Sequence, residues 1–126
     1  MTEVQVITWS GQSGKGYKYW IYPINASLKD KPGNFIFVKR TRFGFWLPCY
    51  IGETENLKTC LRGLEKEVRL KRYGATHIHS HLNFDGEEVR SLEEKDLIEM
   101  WKPMFNEELQ SFYQGADYIT ILHPSF

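Results

Sequence analysis

Cysteine is scarce in this chain, with only Cys49 and Cys60 among 126 residues. Two cysteines without C-x-x-C spacing are too few for a disulfide scaffold or a cysteine-bound zinc, so we expect free thiols. Long apolar runs are also missing, since no window approaches the ~20 apolar residues that a membrane span needs. The first residues show no basic stretch followed by an apolar one. These absences predict a cytoplasmic protein that does not enter a membrane.

A net charge is lacking as well, because 16 basic residues balance 16 acidic ones. Neutrality argues against tight, sequence-independent binding of nucleic acid, which depends on neutralising phosphates. The charges are unevenly placed, however. Residues 29–72 hold eleven Lys and Arg against five Asp and Glu, and residues 85–108 hold three against nine. A locally basic surface is therefore compatible with the sequence, and the simpler alternative is that both stretches are solvated faces.

The length and patterning indicate a single domain over residues 1–126, since a chain of this size builds one hydrophobic core. Alternating apolar residues and turn signals predict strands at 4–9, 17–24, 35–39, 46–51 and 75–82, with a last strand at 116–122. Apolar stripes predict helices at 55–73 and 87–101. The capping-box spacing of Ser91 and Glu94 leaves a start of the second helix at Leu92 as the alternative. Hairpin-type turns favour antiparallel pairing. The expected class is α/β of the α+β type, with a small, mainly antiparallel sheet flanked by two main helices.

The ends of the two helices can also be predicted. Thr54 occupies an N-cap position and Gly74 a C′ position for the first helix, and Pro103 ends the second. The buried side of the second helix is predicted to consist of Val89, Leu97, Met100 and Trp101.

The stretch with the most functional information is Tyr50-Ile51-Gly52-Glu53-Thr54, where a predicted strand enters the first helix. It resembles the second half of the motif pair that names the GIY-YIG nuclease family, and Gly33-Asn34-Phe35 stands in the place of the first half. The segment Glu94-Lys95-Asp96-Leu97-Ile98 and the later Pro103 and Asn106 resemble the glutamate-bearing helix and the P-x-x-N of that family. The resemblance covers residues 33–106 and implies a GIY-YIG-like fold.

The resemblance also implies a catalytic site. Family members that cut hold one divalent cation on the helix glutamate, while two tyrosines and an arginine position and activate water against a phosphodiester. By resemblance, Glu94 is the metal ligand and Tyr50, Gly52 and Asn106 occupy catalytic-site positions. A carboxylate with several waters suits Mg²⁺ or Mn²⁺.

Two positions depart from the family pattern. Phe35 replaces the first-motif tyrosine and has no hydroxyl, and Cys60 replaces the helix arginine and has no permanent charge. Cys60 also falls in the apolar stripe of the first helix, where a free thiol acts as a small hydrophobe. Arg90 lies one turn before Glu94. It is expected to form a surface ion pair with Glu94 or, as a hypothesis, to replace the missing positive charge.

Four basic residues are candidate nucleic-acid contacts outside those motifs. Lys39, Arg40 and Arg42 surround a predicted strand connection, and Arg62 lies on the first helix.

A second candidate site is the histidine cluster His77-Ile78-His79-Ser80-His81. Alternate residues of a strand share a face, so the three imidazoles are expected to project together. Three histidines can bind zinc, although neighbouring same-face positions are ~7 Å apart and favour chelation by pairs. The alternative is a polar sheet face lined by neutral histidines.

Together these patterns predict a GIY-YIG nuclease-like domain in which phosphodiesterase activity is weakened or lost. Such a domain would act as a binding module, for DNA or RNA with weak affinity or for another protein. One alternative is an active, Mg²⁺-dependent endonuclease with relocated catalytic groups. Another is a metal-binding protein that uses the histidine cluster. The sequence leaves the oligomeric state open.

Overall fold

A computed structural model describes residues 5–60 and 69–106. These residues form five strands: β1 Val6–Ser10, β2 Gly16–Pro23, β3 Gly33–Arg40, β4 Trp46–Thr54 and β5 His77–Leu82. Two helices are α1, Leu57–Cys60, and α2, Glu87–Trp101. Residues 69–72 and 104–106 are also helical.

The strands form one sheet in the order β1-β2-β5-β3-β4, and every neighbouring pair is antiparallel. The predicted α+β class is therefore confirmed. Strand β5 lies between the β1–β2 hairpin and the β3–β4 hairpin, so β4 is an edge strand of the sheet that residues 5–60 and 69–106 form. In the β3–β4 register Phe35 is opposite Gly52 and Phe37 is opposite Tyr50.

Each face of the sheet carries its own hydrophobic cluster, because alternate residues of a strand point to opposite sides. One face presents Phe35, Phe37 and Tyr50, which pack with Leu57 of α1 and with Phe105. The other face presents a different set of strand residues, which pack with Leu97 of α2: Trp9, Tyr19, Ile36, Val38 and Ile51. We call these the α1 face and the α2 face.

The start of the first helix differs from the prediction. Thr54 ends β4 instead of capping the helix, and its hydroxyl accepts a hydrogen bond from the Asn56 N–H. The cap is Asn56, whose side-chain oxygen accepts from the Thr59 N–H at 3.2 Å. At the other end Gly74 has φ 90°, so the predicted glycine stop is confirmed.

Helix α2 has the predicted bounds, with Lys102 in the left-handed conformation just before Pro103. Its predicted buried side is wrong except for Leu97. The buried residues are Arg90, Glu93 and Leu97, whereas Val89, Met100 and Trp101 are exposed. Polar partners on the sheet allow the helix to bury two charged side chains.

Three earlier predictions lie outside the described residues: the centre of the first helix, Arg62 within it, and the strand at 116–122. Among the helices that are described, none combines the length and the apolar character required to cross a bilayer.

Candidate functional site

Tyr50, the tyrosine of the motif-like segment, lies in the core of the α1 face. Its side chain is 1% exposed. The Tyr50 ring packs edge-on against Phe105 with centroids 5.3 Å apart, and it lies 6.0 Å from the Phe35 ring. Phe35 itself is fully buried. The two positions that correspond to the family's tyrosines are therefore neighbours in an aromatic cluster.

Gly52 is fixed by close packing. A Cβ added to Gly52 would lie 2.5 Å from Cζ of Phe35, well inside van der Waals contact. Since Phe35 stands directly opposite Gly52 in the register, any side chain at position 52 would displace the ring. The glycine of the motif-like segment is thus explained by the phenylalanine beside it.

Asn106 acts on the backbone of β4. Its side-chain oxygen accepts from the Ile51 N–H at 2.8 Å, and its amide donates to the Ile51 carbonyl at 2.9 Å. These two bonds mimic the pairing of a further strand on the edge of the sheet. Asn106 therefore positions the segment between Tyr50 and Gly52.

Glu94 lies on the other side of β4 from Tyr50. It belongs to α2, and it is close to Glu53, whose side chain shares the α2 face with Ile51. Burial and then the nearby Glu53 carboxylate raise the pKa of Glu94 to about 7, although a hydrogen bond from the Glu53 N–H acts in the opposite direction. The structure does not bring Glu94 and the Tyr50 ring into one pocket.

Arg90 has a different partner from the one predicted. The expected surface ion pair with Glu94 is wrong, because Arg90 is buried and its Nε donates to Glu53 at 2.9 Å. Its Nη1 donates to the carbonyl of Asn83 at 3.4 Å, and its own carbonyl accepts from Asn34. Arg90 is thus engaged in joining α2 to β3 and β4 and is not directed toward Tyr50.

The described residues do not fit the divalent-cation site that the resemblance implies. Glu94 has a second carboxylate nearby in Glu53, but Arg90 already neutralises that group. Within residues 5–60 and 69–106, no three His, Cys, Asp or Glu side chains are grouped to hold a metal ion.

Cys60 occupies the position expected from its apolar neighbours. It is half-buried against the hydrophobic cluster of the α1 face, and its Sγ lies 3.6 Å from the Leu57 carbonyl. This contact agrees with the interpretation of the thiol as a small packing group.

The three histidines of β5 have separate partners. The indole N–H of Trp9 donates to Nδ1 of His79 at 2.9 Å, so the proton of the neutral ring lies on Nε2, which then has no lone pair for a metal. Burial lowers the pKa of His79 to about 4, helped by the charges of His77 and Arg40. His77 contacts Thr76 through Nδ1. The predicted shared metal site is not assembled in this arrangement.

His81 belongs to a buried polar network that sequence reasoning missed. Its Nε2 lies 2.6 Å from the Glu93 carboxylate, and its Nδ1 donates to the Leu82 carbonyl. Tyr19 also donates to Glu93 at 2.6 Å. Burial lowers the pKa of His81, but the hydrogen bond and charge of Glu93 outweigh this effect and raise it overall. The network joins α2 to β2 and β5.

Asp96 is the centre of a second set of polar contacts that no sequence pattern indicates. Its carboxylate accepts from the Ser13 N–H at 2.8 Å, the Ser13 hydroxyl at 2.6 Å and the Tyr17 hydroxyl at 2.7 Å. The hydrogen bonds from Ser13 and Tyr17 lower the pKa of Asp96. Burial and then Asp96 raise the pKa of Tyr17 to about 12. Asp96 thus holds the β1–β2 turn onto α2.

The predicted basic contacts Lys39, Arg40 and Arg42 lie together at the end of the β3–β4 hairpin. We call residues 39–47 the hairpin tip. In the hairpin tip, Phe43 is 75% exposed and Phe45 is 70% exposed. Each arginine is close to an aromatic ring: the Arg42 guanidinium lies 5.4 Å from the Phe43 centroid, and that of Arg40 lies 4.4 Å from the Trp46 centroid.

No protein-family model, curated protein or solved structure matches this chain.

Proposed function

We propose that this domain is a nucleic-acid-binding module that contacts single-stranded DNA or RNA through the hairpin tip. The observation that carries the proposal is the combination, in one short turn, of exposed aromatic rings with three basic side chains. The GIY-YIG resemblance points independently to the same class of ligand.

The aromatic part of the tip is suited to unpaired bases. Folded proteins rarely expose two phenylalanines and a leucine together, and such patches mark interaction sites. Here Phe43, Phe45 and Leu47 are exposed by 75%, 70% and 54%. Bases that are not stacked in a duplex can stack on such rings with little dependence on sequence.

The charged part of the tip is suited to phosphates. No Asp or Glu occurs between Gly33 and Gly52, whereas Lys39, Arg40 and Arg42 all do. All three basic residues are exposed at the same end of the sheet. The charge at the tip is therefore positive even though the whole chain is neutral. A nucleic-acid strand carries the negative charge that complements it, whereas an apolar protein surface without acidic residues does not.

We also propose that phosphodiester cutting is weakened or lost. The proposal is supported by Phe35 and Cys60, which lack the hydroxyl and the charge of the family's residues, and by the burial of Tyr50 away from Glu94. Incubation of the purified protein with plasmid and Mg²⁺ or Mn²⁺ tests it. Nicking that disappears in both Tyr50→Phe and Glu94→Ala would establish the active endonuclease instead.

Binding is tested by fluorescence anisotropy with a labelled oligothymidine and a labelled oligouridine at low salt. Loss of one stacking ring costs about 1–3 kcal/mol per base, so Phe43→Ala and Phe45→Ala should each weaken binding about 5- to 150-fold. Three phosphate contacts predict a slope of log K against log salt of about −2 for a single strand, and Arg42→Ala should make it shallower.

Phe84 provides a matched control for the rings, because it is 65% exposed but lies beside Asp85, far along the chain from the tip. Phe84→Ala should bind like the wild type. Equal weakening by Phe84→Ala and Phe45→Ala, or undiminished binding in the tip variants, would contradict the proposal. Tighter binding of a duplex than of the single strand would contradict the choice of ligand.

A further inference from the structure

A cavity of about 450 Å³ opens on the sheet at the β2–β5 pair, away from the hairpin tip. Its aromatic wall is Trp20 and Tyr22, which are two residues apart on β2 and therefore share a face. This volume is in the range of small-molecule sites in proteins. Strand β2 and the loop after it precede Gly33, so most of the cavity lies outside the part of the chain that resembles GIY-YIG nucleases.

The cavity is lined by both apolar and polar side chains. Leucines 28, 57 and 82 supply apolar surface, while Ser27, Ser80 and Lys29 supply polar groups. Trp20 is 36% exposed, which leaves part of its indole accessible. Ser80 is directly opposite Trp20 in the β2–β5 register, so a hydroxyl lies beside the aromatic wall. Lys29 is exposed and brings a positive charge to the rim.

We propose that this cavity binds one nucleotide, with its base against Trp20 and its phosphate at Lys29. A planar base can stack on an indole, and its polar edge needs a partner such as a hydroxyl. The ammonium of a lysine binds phosphate as a point charge. A purely apolar ligand would leave the serine hydroxyls and the lysine unused, whereas a nucleotide uses both kinds of surface.

The cavity is distinct from the hairpin tip. Gly33, at the start of β3, pairs with Leu82 of the cavity, and Arg40 of the tip ends the same strand. These positions are seven residues apart along the strand, or about 23 Å at the usual rise. The inference therefore does not rest on the proposed function, and either can fail without the other.

Isothermal titration and the quenching of tryptophan fluorescence test the inference with adenosine monophosphate, adenosine and inorganic phosphate as separate probes. The monophosphate should bind more tightly than either other probe. Trp20→Ala should weaken its binding about 5- to 150-fold, as expected for a lost stacking partner. Lys29→Ala should reduce its affinity to that of adenosine.

Lys18→Ala is the matched control, since Lys18 is an exposed cation on the same face of β2 but does not line the cavity. It should leave binding unchanged, as should Phe45→Ala at the hairpin tip. Absence of binding at millimolar monophosphate overturns the inference. So does phosphate binding as tightly as the monophosphate, or equal affinity in wild type and Trp20→Ala. The affinity for an oligonucleotide with a 5′-phosphate is compared with that for the monophosphate. Tighter binding of the oligonucleotide would identify a strand end as the ligand, and tighter binding of the monophosphate would identify a free nucleotide.

Discussion

The ring of Phe35 lies against the backbone of Gly52, so that a single methyl group at position 52 would come within 2.5 Å of Cζ. These residues stand opposite each other on neighbouring antiparallel strands. Two positions that the sequence presents as separate motif elements are therefore one packing unit.

We predict that Gly52→Ala destabilises the protein by about 1–3 kcal/mol, the usual cost of overpacking a core. Phe35→Leu removes the atoms that a Cβ at position 52 would strike. The double variant should therefore lose less free energy of unfolding than the two single variants lose together. Urea unfolding of all four proteins measures the coupling free energy. Strict additivity would show that the ring and the glycine are independent.

The ion pair between Arg90 and Glu53 is predicted to matter more than a surface pair. Both side chains are largely buried, with exposed fractions of 5% and 15%. Arg90→Ala should cost about 3–5 kcal/mol because it leaves a carboxylate without its partner. Replacing both residues, as in Arg90→Met with Glu53→Leu, should recover much of that loss.

The comparison for this prediction is Lys95→Ala, which removes an exposed cation from the same helix and should change stability by less than about 0.5 kcal/mol. Chemical denaturation gives both values. If Arg90→Ala cost under about 1 kcal/mol, the pair would behave as an ordinary surface interaction.

His79 is predicted to make the protein sensitive to acid. Its folded-state pKa of about 4 lies below the ordinary value of 6.5, so the unfolded chain takes up the proton first. The stabilising effect is fully present above pH 6.5 and is lost as the pH falls toward 4, by on the order of 3 kcal/mol. In His79→Asn, where Oδ1 can still accept from Trp9, unfolding free energy should fall less steeply over this range. If the wild type and His79→Asn lost unfolding free energy equally as the pH fell, His79 would not be the cause of the acid sensitivity.

Glu94 is predicted to act in the opposite direction. Its pKa of about 7 lies above the usual 4.5, so its contribution to stability is greatest below pH 4.5 and is lost as the pH rises through 7. Glu94→Gln should match the wild type near pH 5 and exceed its stability at pH 9 by up to about 3 kcal/mol. Thermal unfolding at the two pH values provides the measurement. The exposed Glu99→Gln serves as the control, and a similar gain there would contradict the prediction.

Much of the fold was predictable because its signals are local. The bounds of α2 follow from an uninterrupted helical stretch that ends at Pro103, and Gly74 ends a helix for reasons intrinsic to glycine. The buried side of α2 was not predictable. In the sequence, Arg90 and Glu93 have the pattern of solvated charged residues. Their burial depends on partners from distant strands, namely Glu53, Tyr19 and His81.

The candidate site shows the same limit. Chain order aligns Tyr50 and Glu94 with a motif, but order alone does not say which face of β4 each approaches. That outcome depends on strand alternation, which assigns Tyr50 to one cluster, and on the packing of Leu97, which assigns α2 to the other. The hairpin tip was visible in the sequence as a basic segment, whereas the exposure of its rings was not.

Asn106 and Glu94 together have a consequence for how copies of this protein meet. An edge strand normally presents unpaired amides that can recruit a strand from another molecule. On β4, Asn106 already occupies both backbone groups of Ile51, and Glu94 accepts from the N–H of Glu53. The part of the rim from Ile51 to Glu53 is therefore closed to strand addition, and intermolecular sheet formation is hindered there.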